Sequence, residues 1–364
     1  MELNALESFV ENTWDVGKVT GIRRFTNGVT NLQYKVTCQK EGAQTCFALK
    51  RYEGRVSRCT VEYEHALMHH LKKYSGGMTS VPIYTRAGND YIRSEDEGRL
   101  FFWGLFTFLP GASTYTWLYT RIPDVSIRSC GEAGALFHTW GNDFLPDAEL
   151  ACQQENVLSR FSRIPEELAR WIPELEKEHT HPYFVGYLKQ YQSYFESEVK
   201  RLDALLREVA GDLPECTIHQ DMNQGNFMFG ENGKVSAVLD LDWAVHGKRL
   251  YDVAWMAQQM LSSWEEASLG EILADKLPMY LEAYNRTAEG SLPGPLTKTE
   301  CEFLPEMMAI TELIVIRDFV DLVYTNRGFS DILYYFYLWR YRRMLVDTAE
   351  KRDLIRKAAD QARR

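Results

Sequence analysis

The sequence predicts an α+β chain of two lobes, a β-rich first third and a mostly helical remainder facing each other across a cleft, and three observations carry that expectation. From about residue 16 to 110, alternating or apolar runs are broken by turn residues. Pro110-Gly111 then interrupts the pattern, and nearly everything after it has helical periodicity. The exception is a short β-like island between Thr217 and Leu241. The chain therefore divides into an N-terminal lobe over 1–109 and a helical C-terminal lobe over 110–364 that carries the island.

The elements follow in order. Strands are expected over 18–25, 32–38, 46–52, 81–85, 90–93 and 100–109, where β-branched and aromatic residues alternate with polar ones. Between them SRCTVEYEHALMHHLKKY, 57–74, places Val61, Ala66, Leu67, His70 and Leu71 at roughly helical spacing, and Gly76-Gly77 closes the segment. Helices are expected over 125–140, 183–209, 251–262, 272–284, 305–324 and 331–345. Within the island, 227–229 and 235–239 form a hairpin around Glu231-Asn232-Gly233. The basic tail EKRDLIRKAADQARR reads as a solvated terminal helix.

Composition narrows the function classes. At 364 residues, with 45% hydrophobic and 13% aromatic content, the chain holds enough apolar surface for more than one structural unit. A formal net charge of -10 argues against nucleic acid, whose binding rests on neutralising phosphates with Lys and Arg. Seven cysteines are scattered singly with no C-x-x-C pair, which points to reduced thiols. The N-terminal residues carry acids where a signal peptide carries positive charge, and no segment reaches the roughly 20 apolar residues of a membrane span. The expectation is a cytoplasmic protein with no membrane partner.

The chemistry concentrates in TIHQDMNQGNFMFGENGKVSAVLDLDWAVHGKRLYDVAWM. His219, Asp221 and Asn226 fall in a loop-like stretch before the hairpin, and Asp240 and Asp242 follow at its exit. Phosphoryl transfer needs a carboxylate to accept the proton of an attacking hydroxyl and hard oxygen ligands for magnesium. Asp221 suits the base, and Asn226 and Asp240 suit the metal that bridges the phosphates of ATP.

H-x-D-x-x-x-x-N followed by a strand and an apolar-D-x-D motif resembles the aminoglycoside phosphotransferase and choline kinase superfamily, with homoserine kinase-like and spore-coat kinase-like members nearest in pattern. The resemblance covers about residues 16 to 260 in order and implies a protein-kinase-like bilobal fold and an ATP- and Mg2+-dependent small-molecule kinase. It assigns Asp221 as catalytic base, His219 as support for the loop, Asn226 and Asp240 as magnesium ligands, and Asp252 as a brace for the catalytic segment. Gln220 departs from the pattern, since the family usually has Gly there.

The first lobe supplies the nucleotide side. Lys50 in CFALKRY faces the same side as Ala48 by strand alternation and matches the V-A-I-K lysine. Its helix carboxylate is expected at Glu64, with Glu62 as the alternative. Asn27-Gly28 in RFTNGVTNLQYKV forms a tight turn able to lie over phosphates, and the sequence resembles the G-x-x-N-x-x-Y/F-x-V form of homoserine kinase-like members. FTFLPG resembles the family hinge, with backbone groups near Thr107 and Leu109 toward an adenine. GEAGALFHTW resembles the helix after the hinge, with His138 a packed structural residue.

Only eleven residues separate Asp240 from Asp252, and no A-P-E signature follows, so the acceptor is expected to be a small-molecule hydroxyl rather than a peptide. Acceptor contacts are expected from Asp242, Trp243, Arg317, Asp318 and Asp321, although Arg317 and Asp321, four apart, equally suit an internal ion pair. Tyr334, Tyr335, Tyr337 and Trp339 suit either an aromatic wall or core. Two rival readings remain: a kinase-like ATP-binding or coat protein with little turnover, and a metal hydrolase built on His219, Asp221, Asp240, Asp242 and His246.

Overall fold

The structure is a computed structural model that describes residues 3–25, 31–53, 56–96, 98–116, 121–151, 155–325, 328 and 330–363. The expected turn at Asn27-Gly28 lies outside the described residues.

The first lobe is a five-stranded antiparallel sheet in the order β1-β2-β3-β5-β4, formed by β1 (Lys18–Arg24), β2 (Leu32–Lys40), β3 (Ala43–Tyr52), β4 (Ile92–Asp96) and β5 (Arg99–Thr107). Alternation splits its faces. Leu49, Leu105 and Trp103 pack with Val19 and Val36 against Leu6, Val10 and Trp14 of helix α1 (Leu3–Thr13) and its C-terminal end. Tyr52, Phe102 and Phe106 turn the other way and join the core that continues into the helical lobe. Helix α2 (Arg58–Leu71) crosses that inner face, its first turn capped by the Ser57 hydroxyl accepting from Thr60 N at 3.1 Å.

The expected strand at 81–85 is not a strand. Pro82 has no N–H to donate, so the segment is held by single bonds instead, Ile83 N to Leu105 O at 2.7 Å and Thr107 N to Val81 O at 3.0 Å. The helix α1 had no counterpart in the sequence expectations.

The second lobe holds α3 (Asp124–Trp140), α4 (Ala148–Ala151), α5 (Ile164–Glu178), α6 (Pro182–Val209), α7 (Leu250–Met260), α8 (Leu277–Ala288), α9 (Lys298–Thr325), α10 (Asp331–Glu350) and α11 (Arg352–Arg363). The helix expected from 272 starts at Leu277, because Ile272 forms a bridge with Ser262 and Pro278 suits a first helical turn. Helix α9 is buried almost all round, and α3 lies so close to α8 that a Cβ on Gly131 would meet the Tyr280 carbonyl oxygen at 2.4 Å. The basic tail is docked rather than solvated: Ile355, Ala358, Ala359 and Ala362 of α11 are buried, and Arg356 pairs with Glu306 at 2.7 Å. Among the described residues no helix is long and apolar enough to cross a membrane.

The island forms two short ladders. β6 (Glu215–Ile218) pairs with β9 (Val245–Lys248), and the expected hairpin, β7 (Phe227–Phe229) with β8 (Val235–Val238), sits inside that closure. The residues between Ile218 and Val245 are thereby returned to one place beneath the sheet of the first lobe.

Candidate active site

Asp252, fully buried near the start of α7, organises the loop after β6. One carboxylate oxygen accepts the His219 N–H at 2.6 Å and the His138 Nε2–H at 3.1 Å, while the other accepts the Gln220 N–H at 2.9 Å. His138 is a packed residue, its Nδ1 facing the Tyr284 hydroxyl at 2.7 Å. His219 donates from Nε2 to Leu239 O at 2.7 Å, which joins the loop to the exit of the hairpin.

Asp221 is held by two amides. Asn223 Nδ2 donates to one carboxylate oxygen at 2.8 Å and Asn226 Nδ2 to the other at 2.9 Å. Burial pushes the Asp221 carboxyl up to about 6, against the pull of those amides. With its amide nitrogen spent on Asp221, Asn226 keeps its side-chain oxygen as a hard donor.

Lys50 reaches the same place from β3. Its ammonium pairs with Glu64 at 3.0 Å, Asp240 at 3.4 Å and Asp242 at 3.4 Å. Burial alone would lower its pKa, but Asp242 and Glu64, with Asp240 behind them, hold it well above the usual lysine value. Glu64 is the helix partner and also accepts from the Tyr52 hydroxyl at 2.6 Å, whereas Glu62 pairs with Arg58 on the outer face. One ammonium facing three carboxylates leaves an excess of negative charge, and the buried Asp242 Oδ1 has no hydrogen-bond partner. That surplus of hard oxygen suits a divalent cation.

Beside Asp221 opens a cleft of about 240 Å³ lined by Asp221, Asn223, Trp255, Gln259, Val315, Asp318, Phe319 and Tyr341. Of the five expected acceptor contacts only Asp318 lies in this lining. Asp242 instead bridges the lobes, accepting from Asn31 Nδ2 at 3.0 Å beside Lys50. The Trp243 ring is exposed near Arg160, and its carbonyl accepts from Gln220. Arg317 pairs with Glu167 at 2.8 Å, which holds α9 to α5, and with Asp321 at 3.0 Å within α9. Tyr334 and Tyr337 are core residues packed on Phe319.

Thr107 ends β5 with its N–H donated to Val81, and Leu109 is buried in the connector. Sequence reasoning missed Asn31, Tyr52, Trp255, Gln259 and Tyr341. The 255/259 pair had a signal, since both fall on the face of α7 one and two turns after Asp252. Tyr341 gave none, being one aromatic among many.

A sequence profile described as the phosphotransferase enzyme family matches residues 21–289, well over half of the chain and including every catalytic-loop residue above. The chain belongs to the phosphotransferase enzyme family. It is 26% identical over 302 residues to a homoserine kinase of Cupriavidus taiwanensis, covering 81% of this chain and 78% of that protein. Its fold is similar to an amicoumacin kinase in complex with AMP-PNP, Ca2+ and Ami, with TM-score 0.65, 13% identity and coverage of 97% and 93% of the two chains. It is also similar to a microcompartment-associated aminopropanol kinase, with TM-score 0.63, 12% identity and coverage of 98% and 99%. A bilobal kinase-like fold is thus the architecture, as the motifs implied. The metal-hydrolase rival has no such support, and among the described residues no three His, Cys, Asp or Glu side chains gather as a metal site by themselves.

Proposed function

We propose that this phosphotransferase moves the γ-phosphate of ATP to a hydroxyl of a small molecule bound in the cleft, with Asp221 as the base. The observation that carries the reading is that two pairs stand side by side, Asn226 on Asp221 and Lys50 of the sheet on Asp240, joined by the Leu239 N–H donated to Asn226 O at 2.8 Å, with Asp221 in the lining of the cleft. The lobe ending at 109 would hold the nucleotide and the lobe from 110 the acceptor.

The acceptor hydroxyl lies against an Asp221 oxygen. As its oxygen bonds to the γ-phosphorus and the bond from that phosphorus to the β–γ bridging oxygen breaks, its proton passes to Asp221. The two amides from Asn223 and Asn226 fix the carboxylate so that no reorientation is needed at that moment. Lys50, held by Glu64 and Tyr52, presents fixed positive charge to the phosphates. Backbone at Thr107 and Leu109 suits the adenine, chiefly through Leu109 and the Thr107 carbonyl, since the Thr107 N–H is already donated to Val81. Magnesium fits Asn226 and Asp240, two hard oxygen donors that leave the other coordination positions to phosphates and water; when bound it would neutralise charge building on the transferring group.

Asp318 with Trp255, Phe319 and Tyr341 suits an acceptor that carries an amine, in keeping with the homoserine and aminopropanol named for the relatives. The test is ADP release from MgATP with homoserine, 1-amino-2-propanol, ethanolamine, choline and streptomycin in turn. At least one should accelerate turnover, and Asp221→Asn should lower that rate about 10³-fold while ATP still binds. No transfer to any of them, together with no binding of MgATP, sinks the proposal.

A further inference from the structure

Gln220 is the residue immediately before Asp221, and it sits where a side chain is least expected. Its φ is +65°, in the left-handed region that favours glycine. A residue kept there at a conformational cost calls for a compensating contact, and the side chain makes three. Its Oε1 accepts the Val157 N–H at 2.7 Å; its Nε2 donates to Glu155 O at 3.0 Å and to Trp243 O at 2.6 Å. All three are backbone groups remote from Gln220 in sequence, two on the 155–157 segment and one at Trp243, and the Gln220 side chain is almost entirely buried among them.

These contacts join two parts of the fold to the loop. One is the segment that opens the turn Val157–Arg163. The other is the turn Leu241–Trp243, which follows Asp240 directly and carries Asp242. Meanwhile the Gln220 backbone N–H is fixed on Asp252. The Gln220 side chain thus adds to the His219–Leu239 bond a second tie between the loop that bears Asp221 and the turn that bears Asp242, and extends that tie to the 155–157 segment.

We propose that Gln220 is a positioning residue for phosphoryl transfer: its carboxamide clamps the Asp240–Trp243 turn and the 155–157 segment onto the backbone of Asp221, holding the base and the metal-binding carboxylate at their working separation. The proposal rests on the kinase reading of the site. An amide is required rather than any polar group, because the side chain must accept from one N–H and donate to two carbonyls at once. Glutamate keeps the acceptor and loses both donors, placing a carboxylate against two carbonyl oxygens. Glycine removes the clamp while relieving the left-handed backbone.

Gln220→Gly and Gln220→Glu separate clamp from strain. Both are measured for ADP release from MgATP in the presence of the five acceptors together, over a magnesium titration, and for amide exchange at Val157 by mass spectrometry or NMR. The clamp requires kcat to fall at least tenfold in both variants, with KM for ATP within threefold of wild type and the magnesium concentration for half-maximal rate raised. Val157 exchange should be faster in Gln220→Gly. A purely structural role would lower melting temperature without moving the magnesium requirement, and that result overturns the proposal, as does a kcat within twofold of wild type in both variants. Failure of the underlying kinase reading shows separately, as a wild-type protein with no turnover, and overturns the positioning role with it; where the wild type turns over, unchanged Val157 exchange in Gln220→Gly overturns the clamp alone.

Discussion

At the scale of single residues, what distinguishes this site is how few groups carry charge without a fixed partner. Lys50 faces three carboxylates and Asp221 is gripped by two amides, so both are set in place before any ligand arrives. Asp318 is different. It shares one oxygen with Arg317 at 2.9 Å and lies in the cleft lining, whose apolar walls raise its pKa against the pull of that guanidinium. It is the one carboxylate in the lining other than Asp221. Replacing Asp318 by Asn should raise KM for an amine-bearing acceptor about tenfold, the size of a lost charged hydrogen bond, with kcat within a few-fold. Steady-state kinetics on whichever acceptor turns over checks this, and an unchanged KM would place the amine elsewhere. The motif residues were legible one by one because phosphoryl transfer restricts them to a carboxylate, an amide and a lysine. Asp318 was legible only as one of five candidates, four of them charged, since a charged residue on an apolar helix suits a pocket wall and an ion pair equally well.

At the scale of elements, the helical lobe stores polar groups that transfer does not use. Arg249, which precedes α7, makes a bidentate pair with Glu300 of α9, both fully buried, with its guanidinium also donating to Pro295 O at 2.9 Å. That pair is satisfied. Glu312 in the middle of α9 is not: Thr348 of α10 donates to one oxygen at 2.8 Å, and the other oxygen is buried without a partner. Burial pushes its carboxyl well above the usual range, helped by Asp347 and opposed by the Thr348 hydroxyl and Arg340; Tyr194 also faces it. The sign follows directly. A carboxyl raised in the folded state binds its proton more tightly there, so its contribution to stability is complete below about pH 4.5 and is lost as pH rises toward the folded value. Glu312→Gln should therefore leave stability at pH 4 nearly unchanged and raise it at pH 8 by about 1–2 kcal/mol, the scale of a buried group relieved of an uncompensated charge. Urea unfolding at the two pH values measures this, and equal stability of the two proteins at pH 8 would contradict it. Helix positions were mostly visible in periodicity, and α9 was visible despite being buried on nearly every side because its length leaves no other reading. The strand expected at 81–85 failed on one residue, Pro82, whose missing donor outweighs the β propensity around it.

At the scale of the whole molecule, the two lobes meet through a small number of polar contacts above a shared apolar core. Lys50 and Asn31 reach from the sheet to Asp240 and Asp242, and Asn31 is itself anchored by accepting the Glu53 N–H at 3.1 Å. A nucleotide with magnesium binding between the lobes would exchange carboxylate neighbours of Lys50 for phosphates and stabilise the folded state by mass action. MgATP at a hundredfold over its Kd should add about 2.7 kcal/mol, seen as a rise in melting temperature that EDTA reverses. A rise that persists in EDTA would show that the nucleotide binds without the metal. The sequence by itself determined the two-lobe fold class and the order of the main elements, and it singled out Lys50, Asp221, Asn226 and Asp240 as the residues proposed for the site, because periodicity and motif spacing are local properties of the chain. Only the tertiary structure decided what stands beside them: that Asp242 joins the lobes, that Arg317 ties α9 to Glu167 of α5, that Trp255, Gln259 and Tyr341 line the cleft, and that Gln220 clamps the loop. Those roles depend on contacts between residues remote in sequence, and which of several chemically suitable side chains meets a given partner is set by packing, which leaves no period or spacing to read.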